Sequence, residues 1–237
     1  MKVILSKKPK EVNILAGFPT FGVIGPIVSE YLLENLTCEK IGEIETSNLQ
    51  PMVAIHKGVI VKPIEIYYNK RFNLVIVRSV SKLEGVEWEL AEALKDLATQ
   101  LSAWELLSIE GIADQTQQTQ TRIFGFSNDN KSKKKLNQSN IDILTEGIIL
   151  GLTAALFAIE ADIVRHTTFF ATTHSQLPDS HAAAEIIKVL DIYLGLDIDP
   201  EPLLEQAQGF ESELSQLHET TRQTEKELKL KKMSYVG

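Results

Sequence analysis

Apolar positions along the chain switch between the spacing of strands and that of helices, and the alternation predicts an architecture. Val12-Asn13-Ile14-Leu15-Ala16 is a β-rich run entering the turn Gly17-Phe18-Pro19, after which Ile24, Ile27, Val28, Tyr31 and Leu32 recur on one helical face. A strand, a glycine turn and a helix are predicted. From Ile41 to Ser79 come short runs, Met52 to Ile55, Ile64 to Tyr68 and Leu74 to Val77, punctuated by Gly58, Pro63 and Asn69-Lys70-Arg71. These predict consecutive, partly antiparallel strands. Val86, Leu90, Leu94, Leu97 and Leu101 mark an amphipathic helix, and Trp104 to Ile109 a further strand. Two polar inserts, Ala113 to Thr121 and Ser127 to Asn140, flank the apolar piece Arg122 to Phe126 and are expected to be surface loops. Gly147 to Glu160 reads as a buried helix, Ile163 to Thr173 as a strand, and Asp179 to Leu194 as a helix with Ile186, Leu190 and Tyr193 on one face. Strands alternating with helices imply an α/β fold, a sheet covered by helices.

The last part follows another rule. Leu203, Ala207, Phe210, Leu214, Leu217, Thr221, Thr224 and Leu228 are spaced 4, 3, 4, 3, 4, 3, 4, a heptad seam that is apolar over its first five positions. It is expected to pack on the body or to join subunits, with increasing exposure after Leu217. The 237 residues can bury a core without metal or cross-link, and one large domain is the expected count.

Charge narrows the partners. With 24 Lys and Arg against 32 Asp and Glu, the net charge of −8 repels polyphosphate, so no nucleic-acid partner is expected. The single cysteine, Cys38, cannot close an internal disulfide, which suits a reducing, cytoplasmic setting. The uncharged stretch from Gly147 to Ile159, 13 residues, is too short to cross a bilayer, and no membrane partner is expected.

Candidate chemistry is sparse. Gly17, Gly22 and Gly25 follow a strand and open a helix, where an anion can be held, but Pro19 has no N–H to offer a pyrophosphate. Close helix packing explains the glycines better. His174, Asp179 and His181 supply at most three ligands without zinc spacing, so no metal is expected, and Asp179 or Ser180 reads as a helix cap. Cys38 has acidic company that disfavours a thiolate, and Glu87, Glu89 and Glu92 lie on a solvated helix face. The basic cluster Lys131, Lys133, Lys134 and Lys135 reads as a solubilising loop. No catalytic residue and no cofactor are expected.

Several segments taken in order resemble the proteasome assembly chaperone family, in its second-chaperone branch with archaeal relatives. They are Gly17-Phe18-Pro19 with Gly22 and Gly25, Gly42-Glu43-Ile44, Gln50 to Ile55, Gly58 to Tyr67 with Pro63, Gly147 to Leu156 and Leu194 to Asp199. The resemblance implies a single α/β domain, residues 1–199, with a mixed central sheet like that of nucleoside phosphorylases and related hydrolases, and a helical C-terminal extension, 200–237. It implies a non-enzymatic protein that binds 20S proteasome α-subunits, forms homo-oligomers, and docks through a tail ending in hydrophobic, tyrosine, any residue. The tail here is Met233-Ser234-Tyr235-Val236-Gly237, one residue out of that register. The expected partner-binding residues are Met233, Tyr235, Val236 and Gly237; the expected subunit contacts are Leu203, Ala207, Phe210, Leu214 and Leu217. A nucleoside hydrolase or transferase on the same architecture is the alternative.

Overall fold

The computed structural model describes residues 1–49, 53–56, 58–80, 83–113, 121–159, 164–173 and 177–205. Among these the chain order is β1 (Lys2–Leu5), β2 (Asn13–Gly17), α1 (Ile24–Asn35), β3 (Cys38–Glu45), β4 (Ala54–His56), β5 (Val59–Val61), β6 (Ile64–Asn69), β7 (Leu74–Ser79) and α2 (Glu87–Leu101). It continues with β8 (Glu105–Ala113), β9 (Ile123–Ser127), α3 (Asn130–Gln138), β10 (Asp142–Ile143), α4 (Gly151–Ala158), β11 (Arg165–Thr173) and α5 (Ser180–Leu194).

Nine of the described strands form one mixed sheet in the order β1-β3-β6-β7-β2-β8-β11-β9-β10. At its centre β7, β2, β8 and β11 run parallel, and the largely apolar, buried runs of β2 and β7 reflect burial on both faces. β6, β3 and β1 extend one side antiparallel, β9 pairs antiparallel to β11 on the other, and β10 pairs parallel to β9. α2 and α4 cover one face, where Ile14, Ala16, Val75, Val77 and Leu106 meet Leu90, Leu94, Leu97 and Leu156. α1, α3 and α5 cover the other, where Leu15, Ile76, Leu107 and Phe169 meet Val28, Leu136, Ile186 and Leu190. Arg78, at the end of β7, ties α1 to the sheet through Glu30 and Glu65, each at 2.8 Å.

The insert from Ser127 to Asn140 is not a loop. It contains α3, started by Asp129, whose carboxylate accepts the N–H groups of Lys131 at 2.8 Å and Ser132 at 2.9 Å. Lysine is a good helix former, and the buried Leu136 anchors this short helix to the core. The apolar piece before it is β9. The predicted helix from Gly147 is shorter and less buried than expected: α4 begins at Gly151, with positive φ, and Ile148 and Leu150 before it stand in solvent. The N-terminal residues form an edge strand, β1, that periodicity over so few residues did not single out. Residues 201–205 are helical and Leu203 is buried against the domain's own core, so the body reaches past Asp199.

Two glycines packed against the turn after β2 leave no room for a side chain. A Cβ on Gly25 would stand 2.5 Å from the Phe18 carbonyl oxygen, and one on Gly111 of β8 would overlap the Phe21 carbonyl. Gly25→Ala is therefore expected to cost about 1–3 kcal/mol and to lower the Tm by roughly 3–10 °C. Gly147→Ala, whose Cβ would meet only Leu144 at 3.7 Å, should leave the Tm within about 2 °C in the same calorimetric comparison.

Candidate functional site

The connection leaving β2 goes to α1 on one face of the sheet, and that leaving the adjacent β7 goes to α2 on the other. Such a divergence opens a crevice at the carboxyl ends of the strands, the usual place for a site on an open α/β sheet. Here it is a cleft of about 460 Å³, walled by Phe18, Phe21, Leu83, Leu150 and Leu152. Glycines pack the turn beside it tightly. Gly17 lies under Ser29, whose hydroxyl donates to the Gly25 carbonyl at 2.8 Å, and the Gly111 N–H donates to Thr20 Oγ1 at 3.3 Å. The close-packing reading of Gly17, Gly22 and Gly25 is the one this geometry supports.

The charged residues lining the cleft, among those described, are Glu84, Glu87 and Glu110. Glu110 sits deepest, on β8, and accepts the Thr153 hydroxyl of α4 at 2.8 Å. Burial pushes its carboxyl up to about 7, against the smaller lowering effect of Thr153. Hydrophobic periodicity does not mark Glu110; the signal is a carboxylate in the strand run Ser108-Ile109-Glu110 of an otherwise buried strand.

A second polar group lies beneath α4. Ser108 Oγ is 2.9 Å from His166 Nε2 and 2.7 Å from Thr168 Oγ1, and Phe157 lies against the imidazole with ring centroids 4.1 Å apart. No local motif marks this pair, because the partners stand 58 positions apart and meet through the parallel β8–β11 pairing. The pair is sealed from solvent: both residues are buried, neither lines the cleft, and burial pulls His166 down to about 3. There the histidine makes a buried polar contact between β11 and β8.

Around the cleft the surface is apolar. Ile148, Leu150 and Trp88 are well exposed, and Trp88, Leu150, Ala154 and Ala158 line a shallow continuation of the cleft along α4. β4 and β5 form a separate two-stranded ribbon carrying the exposed Val53, Ile55, Val59 and Ile60.

Of the sequence-predicted site residues, Leu203 is in the chain's own core, packed with the α1 and α5 layer. Ala207, Phe210, Leu214, Leu217, Met233, Tyr235, Val236 and Gly237 lie outside the described residues, as does His174. Asp179 caps α5, accepting the Ala182 N–H at 2.9 Å, and Thr173 donates to it at 2.6 Å. Among the described residues no group of three His, Cys, Asp or Glu is placed to hold a metal, and no helix is long and apolar enough to cross a membrane.

Glu110 has a measurable signature. Its folded value near 7 lies above the ordinary 4.5, so the native state holds the proton more tightly and stability falls as pH rises between those values. Glu110→Gln keeps an acceptor for Thr153 and removes the charge. Its Tm advantage over the parent should be smallest near pH 4.5, grow towards pH 7 and level off above, in a calorimetric pH series.

Residues 14–218 match a model of the PAC2 family. The uncharacterized protein MJ0106 of Methanocaldococcus jannaschii is 25% identical over 215 residues, which is 87% of this chain and 85% of that protein. The structure of Pyrococcus furiosus PbaA, described as an archaeal homolog of proteasome-assembly chaperone, has TM-score 0.85 at 23% identity over 96% of each chain. That of PbaB from the same organism, described as an archaeal proteasome activator, has TM-score 0.79 at 20% identity over 92% of this chain and 98% of that one. These structural likenesses establish the fold, while the sequence match runs from β2 through both helical layers and the cleft: the chain belongs to the PAC2 family.

Proposed function

We infer that this chain is a non-enzymatic proteasome-interacting protein that docks on the 20S α-ring through its C-terminal tail. The observation that carries the reading is membership of the PAC2 family together with the fold shared with PbaA and PbaB, whose descriptions concern proteasome assembly and activation. The body supports a binding role: it presents apolar side chains to solvent around a cleft, and its Ser108–His166 pair is shut away from that cleft. The acidic balance of the whole chain favours a protein partner over a nucleic acid.

The tail, Met233-Ser234-Tyr235-Val236-Gly237, offers an aromatic ring beside a chain-end carboxylate. The ring fills an apolar slot and the carboxylate meets a cation between α-subunits. Val236 stands where the family pattern has tyrosine, and one extra extended residue shifts the carboxylate by about 3.3 Å relative to the ring. The extension 200–237 carries the tail, and the seam residues Ala207, Phe210, Leu214 and Leu217 contribute to a homo-oligomer. Several tails on one assembly then sum weak contacts into avidity.

The cleft favours one other reading, a small-molecule enzyme acting on nucleosides, since it lies at the carboxyl ends of the strands and holds a carboxyl that titrates near 7. A thermal-shift screen with nucleosides and phosphate discriminates: a rise in Tm that Glu110→Gln abolishes supports the enzyme, and no rise supports the binding protein.

Binding to isolated proteasome α-rings, measured by biolayer interferometry, tests the tail. Tyr235→Ala should weaken binding roughly tenfold or more, and removal of Gly237, which makes tyrosine penultimate, should preserve or strengthen it. Equal binding by the parent, Tyr235→Ala and a chain ending at Ser234 would place any docking on the body instead.

A further inference from the structure

The cleft at the carboxyl end of the sheet has the dimensions of a small-ligand site, at about 460 Å³. Phe18, Phe21, Leu83 and Leu152 wall it, and the charged groups lining it among the described residues are the carboxylates Glu84, Glu87 and Glu110. No described lysine, arginine or histidine stands there to neutralise them.

Glu110 differs in setting from the other two. β8 carries it beside Phe170 of β11, and its Oε2 accepts the Thr153 hydroxyl of α4 at 2.8 Å. Its Oε1 accepts no hydrogen bond from the described residues and yet is not sealed in the interior, because the side chain lines the cleft. A carboxylate among apolar groups with one oxygen unpaired is costly to ionise until a cation reaches it, and burial accordingly holds this carboxyl at about 7.

The surroundings decide which ligand fits. An anion is repelled by Glu84 and Glu87 at the rim and by the net charge of −8. The three carboxylates are not gathered closely enough to hold a metal ion, and the aromatic and leucine walls call for an apolar body. We propose that the cleft binds a small organic cation, an ammonium group on an apolar body, with the ammonium donating to Glu110 Oε1 and the body lodged against Phe18, Phe21, Leu83 and Leu152. The contact is a charge-assisted hydrogen bond in a partly dehydrated cleft, and the two phenyl rings add a preference for a cationic head over a neutral one. Glu84 and Glu87 draw cations to the mouth. The inference rests on the cleft alone, is independent of the tail and of any proteasome partner, and unlike the nucleoside reading needs the ligand's charge.

Ligand-observed NMR titration of the full chain tests it, with phenethylammonium as the probe. Phenethyl alcohol has the same body without the charge, and hydrocinnamate carries the opposite charge. At pH 8 phenethylammonium should bind with a Kd on the order of 1 mM or tighter, the alcohol roughly tenfold more weakly and the acid not measurably. Glu110→Gln, which keeps an acceptor for Thr153, should weaken ammonium binding roughly tenfold or more, whereas Glu84→Gln/Glu87→Gln should cost roughly two- to fivefold. Circular dichroism checks that both variants keep the fold.

The pH dependence isolates the contact. Thr153 from α4 and Phe170 from β11 adjoin Glu110, and the titratable groups that share its cleft are Glu84 and Glu87. A primary ammonium keeps its proton up to about pH 10, so the ligand does not titrate in the working range. Lowering the pH from 8 to 6 protonates Glu110 and should raise the parent's Kd about tenfold. Glu110→Gln retains Glu84 and Glu87 and should lose that dependence.

The proposal is overturned by equal affinity for the ammonium and the alcohol, by binding of the acid as tightly as the ammonium, or by no ammonium binding up to about 20 mM. Parent-like binding and pH dependence in Glu110→Gln overturn it too. A terminally blocked lysine peptide that binds roughly tenfold more tightly than phenethylammonium, with the same need for Glu110, overturns the small-molecule assignment in favour of a protein side chain. None of these results bears on α-ring binding, so failure here and failure of the tail to dock are read separately.

Discussion

The backbone packing of the turn after β2 sets where everything else lies. Gly17, Gly25 and Gly111 bring the turn, the start of α1 and the end of β8 together at distances that exclude a Cβ. Polar backbone groups buried this tightly need partners, and they find them: the Gly25 carbonyl accepts from Ser29, and the Gly22 carbonyl accepts from the Asp179 N–H at 2.9 Å, which links the turn to the cap of α5. The same packing sends the Phe18 to Val23 connection over the end of the sheet and forms one wall of the cleft.

The carboxyl end of the sheet thus carries an apolar, partly acidic rim. Two polar groups on β8 differ in their setting. Ser108, His166 and Thr168 satisfy one another under α4 and Phe157, apart from His166 Nδ1, which has no partner among the described residues. Glu110 is instead open to the cleft and joined to α4 by a single hydroxyl. The Ser108–His166 pair is buried and does not line the cleft. Exposed Trp88, Ile148 and Leu150 are what a binding surface requires.

Much of this was legible before the structure. β2, α1, α2, β8, β11 and α5 announce themselves through apolar spacing, because each buries a continuous stripe or run. α3 did not, since it buries a single large apolar side chain, Leu136, and owes its start to the Asp129 cap. The Gly147 to Leu150 segment misled for the opposite reason: it is apolar and yet exposed, and hydrophobicity reads as burial unless an interface claims it. The cleft was invisible, because Glu110, Thr153 and the Phe18 to Val23 turn converge only through strand order. The family, in contrast, was legible from short glycine- and proline-bearing segments taken in order along the chain.

Native mass spectrometry of the full chain mixed with assembled α-subunit rings tests the proposed proteasome partner most directly. A complex of intact ring with an integral number of chains, formed at micromolar concentration, is the predicted result. Spectra that contain only free ring and free chain at tenfold higher concentration would contradict it.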